Sequence, residues 1–265
     1  SKGTLQTAYF WLLYGDQHEI VFPFAPTRAE RVVRDVLGSF CGVLLTDGYK
    51  VYDRFVRSMV DIVHAQCWTH TRRQFIDAQM VEPGLVAQAL EQIGALYAVE
   101  ARMREQQLSG DAKLRHRRAQ AQPLAEQFFA WLERTLREEV LLPSNPFRQA
   151  AHYALDRRAA LSVFLADPTV PLDTNHLERQ IRPIALGRRN WLFCWTEVGA
   201  RYVGIVQSLL ASCRLQGINP YVYLVDVLQR IDTHPAFEVH LLPPASGSST
   251  SPTILCVLLL LGSVH

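Results

Sequence analysis

The chain has few cysteines. Five occur in 265 residues (Cys41, Cys67, Cys194, Cys213, Cys256), odd in number and without paired spacing. That pattern argues against a disulfide framework and fits a reducing cytoplasm. Cys67-Trp68-Thr69-His70 has a spacing that could hold a metal, but no second Cys/His pair follows to complete the four ligands zinc takes. Charge of one sign is also scarce: 27 basic against 25 acidic side chains leave a net charge of +2, too little to argue for nucleic acid by itself. No charged stretch followed by an apolar run and a cleavage site opens the chain, so secretion is not indicated. The apolar run Ile254 to Leu261 falls well short of the ~20 residues a spanning helix needs. No membrane partner is expected, and an unpacked or non-native tail is the simpler reading of that run. Internal repeats are absent. What is present is ample apolar material, 49% against 20% charged residues, which supports a substantial core and excludes general disorder.

Hydrophobic patterning sets a coarse element order. Thr7 to Tyr14 reads as a strand, Gly15-Asp16-Gln17 as a turn and Ile20 to Phe24 as the returning strand of a hairpin. Thr27 can cap a helix carrying Val32, Val33, Val36 and Leu37. Val43 to Thr46 reads as a buried strand, a short helix follows, and Ile62 to Trp68 reads as another strand. This order predicts an α/β chain, a mixed sheet with helices packed on it. Beyond His70 the pattern is helical: Val86, Leu90, Ile93, Tyr97 and Glu100 mark one helix, and Leu124, Phe128, Trp131, Leu132 and Thr135 a second. Phe147 to Leu165 can supply a third. The basic stretch Lys113 to Arg118 lies between the first two and reads as a solvated helix face or a phosphate-tracking surface. Val203, Val206, Leu209, Leu210 and Cys213 mark a later helix that Gly217 can end, and Asn219-Pro220 starts another.

Two carboxylates stand out. Asp47 follows the apolar run Gly42-Val43-Leu44-Leu45-Thr46, and ligands in open sheets gather beyond the carboxyl ends of strands. The Asp47-Gly48 pair is equally a turn dipeptide. Glu178 lies on a helix rich in arginine, where Asn175 and Glu178 also fit a capping box. From Arg179 to Arg189 there are four arginines (Arg179, Arg182, Arg188, Arg189) and no acid. Carboxylates suit hard cations such as Mg²⁺, and arginines hold phosphate oxygens by paired hydrogen bonds. The combination points to metal-assisted chemistry on a phosphodiester. Arg72 and Arg73 are further phosphate candidates, and Trp191 can stack on a base or fill the core.

Several of these segments carry a resemblance. Leu44 to Tyr49, Cys67 to Phe75, Leu172 to Pro183 and Gly187 to Phe193, in that order and joined by Gly217 to Tyr221, resemble the catalytic region of the IS66 family of bacterial insertion-sequence transposases. The likeness runs from about Tyr9 to Leu242. It implies a ribonuclease-H-like core whose Asp, Asp and Glu bind two Mg²⁺ ions, with Asp47 matching the second acid and Glu178 the third. Residues 7–78 are then the first part of the core, 79–170 a helical insertion, and 171–242 the second part with C-terminal helices. Residues 243–265 form a disordered or non-native tail. Implied partners are DNA (transposon ends and target), a homo-oligomer on that DNA and possible accessory proteins, in a nucleoid-associated cytoplasmic setting.

The family's first aspartate lies on a strand upstream of the segment matching Thr7 to Tyr14. No residue here matches it, and Asp16, in the hairpin turn, is not assigned that role. The resemblance therefore implies a sheet lacking its central first strand, an inactive truncated region, and an aggregation-prone chain with two unpaired rows of backbone groups. Two further readings stand beside this one: a non-catalytic DNA-binding remnant, and a helical interaction module over Leu85 to Leu165.

Overall fold

A computed structural model describes residues 6–15, 19–191, 196–244 and 254–264. Asp16, read as part of the hairpin turn, lies outside the described residues. Six strands form one sheet: β1 (Gln6–Gly15), β2 (Ile20–Val21), β3 (Phe24–Ala25), β4 (Gly42–Thr46), β5 (Ile62–Gln66) and β6 (Ile254–Val264). Their order is β2-β1-β6-β4-β5, with β3 also on β1. The expected hairpin is present, with Leu13 opposite Val21 and Tyr14 opposite Ile20 in antiparallel register. Helix α1 (Glu30–Leu37) and helix α2 (Lys50–Arg57) separate β3, β4 and β5 as the patterning anticipates. Helix α1 starts after Ala29 rather than at Thr27, whose hydroxyl is buried without a hydrogen-bond partner.

The chain divides into two compact units, one of residues 1–44, 50–62 and 176–265, the other of residues 45–49 and 63–175. In the first, Phe10, Trp11, Leu12 and Leu13 are all buried, as a strand covered on both faces requires. Trp11 meets the Tyr52 ring of α2 edge-on at 6.0 Å. Phe10 is near helix α10 (Glu197–Leu215), where a Cβ on Gly204 would lie 3.4 Å from its ring and 2.3 Å from the Phe22 carbonyl oxygen. Glycine at 204 thus lets the α10 backbone approach the sheet. Ser208 of α10 accepts a hydrogen bond from Phe22 N at 2.9 Å, satisfying a donor that β2 leaves unpaired. Helix α11 (Pro220–Arg230) is capped as its sequence predicts, Asn219 Oδ1 accepting from Tyr221 N at 2.9 Å.

The position between β1 and β4, which the resemblance leaves empty, is occupied. Strand β6 runs antiparallel to β1 along its whole length, from Gln6 opposite Val264 to Gly15 opposite Leu255. Leu255 and Val257, alternate residues of β6, are buried. The segment expected to be an unpacked tail is a strand from Ile254 to Val264, whose residues 255–264 pair with every residue of β1.

The second unit is mainly helical: α3 (Trp68–Asp77), α4 (Pro83–Glu105), α5 (Gly110–His116), a π-turn over Arg117–Ala121, α6 (Gln122–Glu138), α7 (Pro146–Asp156) and α8 (Arg158–Ser162). The single helix expected over Phe147 to Leu165 is broken at Arg157 and ends in a 3₁₀ turn over Val163–Leu165. Trp68 anchors a ring cluster with Phe128, Phe129 and Phe164 at 5.6, 5.9 and 6.5 Å, and donates Nε1–H to the Leu161 carbonyl at 2.9 Å. The basic stretch is not one surface. Arg115 and Arg118 are exposed, whereas Arg117 is fully buried. Its guanidinium donates to both Glu100 carboxylate oxygens (2.8 and 3.0 Å) and to the carbonyls of Phe164, Asp167 and Val170 (2.7, 2.9 and 3.0 Å). Such complete pairing is what a charge at this depth requires.

Candidate active site

Asp47 stands one residue past β4, in the second unit, and is half-buried. Its Oδ1 accepts a hydrogen bond from Tyr49 N at 3.0 Å, closing an Asx-turn. The turn and ligand readings of this residue are therefore compatible, since one carboxylate oxygen shapes the loop. Gly48 has φ +87°, and a Cβ there would sit 2.0 Å from the Tyr153 hydroxyl oxygen. Only glycine meets both demands. One residue upstream, Thr46 Oγ1 is hydrogen-bonded to His64 Nε2 of β5 at 2.9 Å. Cys67 N donates to the Thr46 carbonyl at 3.1 Å. The loop that presents Asp47 is thus fixed by backbone, side-chain and steric constraints together.

Cys67 itself serves the structure: its Sγ accepts from Thr174 N and Thr174 Oγ1, each at 3.3 Å. On α3, which follows, Arg72 and Arg73 are exposed while Thr71 and Phe75 face the interior.

Glu178 lies in the first turn of α9 (Asn175–Trp191). Leu177, Ile181 and Ile184 are buried, and Glu178, Arg179 and Arg182 are exposed. Glu178 and Arg182 are four residues apart and so share a side of the helix. The capping pair expected of Asn175 and Glu178 gives way to a different one, because Asn175 is already helical. Asp173 accepts from Asn175 N (3.0 Å) and from its side-chain amide (2.6 Å). Pro183 lies inside the helix, which continues through Arg188 and Arg189 to Trp191. The side chains of Arg188, Arg189 and Trp191 lie outside the described residues.

Asp173 is the residue whose role the sequence did not disclose. Besides Asn175 it accepts from Thr69 Oγ1 at 3.2 Å, and Thr69 is hydrogen-bonded to the Tyr97 hydroxyl at 2.8 Å. One carboxylate thus joins the start of α9 to α3 and α4. Burial pushes the Tyr97 phenol well above its usual range, which keeps it neutral as a hydrogen-bonding group. An Asp-Thr-Asn run before a helix is itself a capping signal, and it could have flagged Asp173.

Asp47 belongs to the second unit and Glu178 to the first. Among the described residues no group of three or more His, Cys, Asp or Glu side chains is gathered closely enough to hold a metal ion. In kind, the donors suit a hard divalent cation; in number, they do not make a complete site.

The comparisons with known proteins decide the family. Residues 1–202 match the family described as Transposase IS66 family, and residues 208–245 match the IS66 C-terminal element. The chain belongs to the IS66 transposase family. Similar proteins of Sinorhizobium fredii (strain NBRC 101917 / NGR234) include the uncharacterized protein y4qI, 32% identical over 235 residues, which cover 85% of this chain and 42% of the relative. Another is the uncharacterized protein y4hP, 29% identical over 241 residues, 85% of this chain and 43% of the relative. A third, y4jD, is 32% identical over 216 residues, 78% of this chain and 41% of the relative. This IS66 chain therefore spans about two-fifths of the length of the curated relatives it matches. No solved structure matches it. Among the described residues of this family member no helix is long and apolar enough to cross a membrane.

Proposed function

We propose that the chain is catalytic-region sequence of an IS66 transposase, with a ribonuclease-H-like core that serves Mg²⁺-dependent DNA cleavage and strand transfer at transposon ends. Asp47 and Glu178 are the second and third acids of its metal site. The observation that carries this reading is Asp47 at the carboxyl end of β4, held by an Asx-turn in a loop where only glycine fits next, within a segment that matches the family throughout. Asp47 and Glu178 would hold the divalent ions, which when bound would supply positive charge for phosphodiester chemistry. Arg179, Arg182, Arg188 and Arg189 on α9, with Arg72 and Arg73 on α3, are the phosphate contacts; the exposure of Arg72, Arg73, Arg179 and Arg182 supports that role. The partners are the element's ends and the target DNA, bound by a homo-oligomer.

The chain by itself is inactive in this reading, because none of its residues matches the first acid. The test is cleavage and joining of oligonucleotides bearing the element's ends, with and without Mg²⁺. It compares the chain with a version extended upstream by the family's aspartate-bearing strand. The extended protein should cut and join, and Asp47→Asn or Glu178→Gln in it should abolish both. An extended, folded protein that does neither overturns the enzymatic reading.

The exposure of Arg72, Arg73, Arg179 and Arg182 also suits one alternative, a remnant that binds DNA without turnover. That remnant would bind the ends with strongly salt-dependent affinity, and the extension would add no cutting.

A further inference from the structure

Strand β6 completes the sheet from an unexpected source. The two family matches stop at residue 245, so β6 is the one described element lying wholly outside them. It nevertheless fills an interior position, hydrogen-bonded between β1 and β4. Without it, β1 and β4 would each present a row of unsatisfied backbone donors and acceptors along a buried, apolar stretch. The matched region therefore builds a slot one strand wide and supplies no strand of its own to fill it among the described residues.

We propose that the space between β1 and β4 is a strand-acceptor site, open to an extended apolar segment antiparallel to β1, and that residues 254–264 of the same chain are its resident and exchangeable occupant. Recognition would follow the logic of strand addition. Main-chain hydrogen bonds supply affinity, and alternate side chains set the register. Both parts are visible: all ten residues of β1 have a partner in β6, and Leu255 and Val257 are buried opposite Gly15 and Leu13. Ile254 to Val264 contains no Asp or Glu, so this occupant completes the sheet without adding a carboxylate beside β4.

The register gives a direct test that does not depend on catalysis. Tyr14 lies opposite Cys256, and directly opposed residues in an antiparallel pair are spaced within the range a disulfide spans. Mild oxidation of Tyr14→Cys in the whole chain should join position 14 to Cys256 within one molecule, as mapped by peptide mass. Ala8→Cys, six positions out of register with Cys256, should give no such link. Thr7→Cys with Ser263→Cys, a second matched pair, provides the same readout if the first variant folds poorly.

Exchange is read in Tyr14→Cys combined with Cys256→Ser, offered an excess of a synthetic peptide of residues 252–265 with a solubilising lysine tail. Disulfide capture of the peptide at position 14, and not at position 8, is the expected result. Failure of both matched pairs to link in folded protein overturns the seating. Links found only between molecules mean that a second copy supplies the strand, which overturns the same-chain occupant. Internal links without peptide capture overturn the exchange.

Discussion

Residues 63–175 bury a charged guanidinium among five hydrogen bonds and a cluster of aromatic rings, all drawn from one continuous stretch of chain. The pairing of β1 with β6 in the other unit is made differently, by a strand that comes from beyond the family matches. The contrast shows two ways of finishing a core. One depends on many contacts among the helices of a single continuous segment, some joining residues 93 positions apart. The other depends on a single long strand pairing, whose loss would expose two rows of polar backbone at once.

The contrast can be tested most severely at Arg117. Arg117→Ala would strand the Glu100 carboxylate and leave three carbonyls without their donor. It should cost about 3–5 kcal/mol, the usual penalty for breaking a buried ion pair from one side, as read from urea denaturation. A loss below about 1 kcal/mol would mean that this pair behaves as a surface contact and that the helical unit does not depend on it.

A smaller effect is expected at Gly48, where alanine would meet both the positive φ and the Tyr153 hydroxyl. Gly48→Ala should cost about 1–3 kcal/mol. In a Tyr153→Ala background the steric part should vanish and only the backbone strain remain, so thermal melts of the two backgrounds separate the causes. Equal costs in both would show that Tyr153 does not confine this loop.

The smallest effect is expected at Asp173. Asp173→Ala removes the acceptor at the start of α9 and should cost roughly 1 kcal/mol, in the range of a lost helix cap, measured by denaturation at neutral pH. Asp173→Asn, which keeps an acceptor oxygen, should recover part of that cost. No recovery would point to the carboxylate's charge rather than its hydrogen bonds.

Much of this was legible because it is local. The hairpin, β4 with Asp47 after it, the helices over Val86–Glu100 and Leu124–Thr135, and the Asn219-Pro220 start all follow from periodicity and capping chemistry within a few residues. The break at Arg157 was hidden because the apolar period continues across it. Arg117 was indistinguishable from its basic neighbours, since its partners at Glu100 and Phe164 to Val170 are brought to it only by folding. The pairing of β6 was hidden for the same reason, as an apolar run suits an unpacked tail as well as a strand whose mate lies at the other end of the sequence. At the site, the two acids and the arginines could be named from their motifs. Asp173 carries a capping signal in its Asp-Thr-Asn run, but its bond to Thr69 is made only by folding.

The central claim is that Asp47 and Glu178 serve one metal site. Replacing Mg²⁺ with Fe²⁺ and initiating hydroxyl-radical cleavage maps the backbone nearest the ion in the folded chain extended upstream by the aspartate-bearing strand. Two clusters of cuts are predicted, one around residue 47 and one around residue 178, both suppressed by excess Mg²⁺ and both lost in Asp47→Asn. Cuts confined to one of these regions, or unchanged by that substitution, would contradict the account.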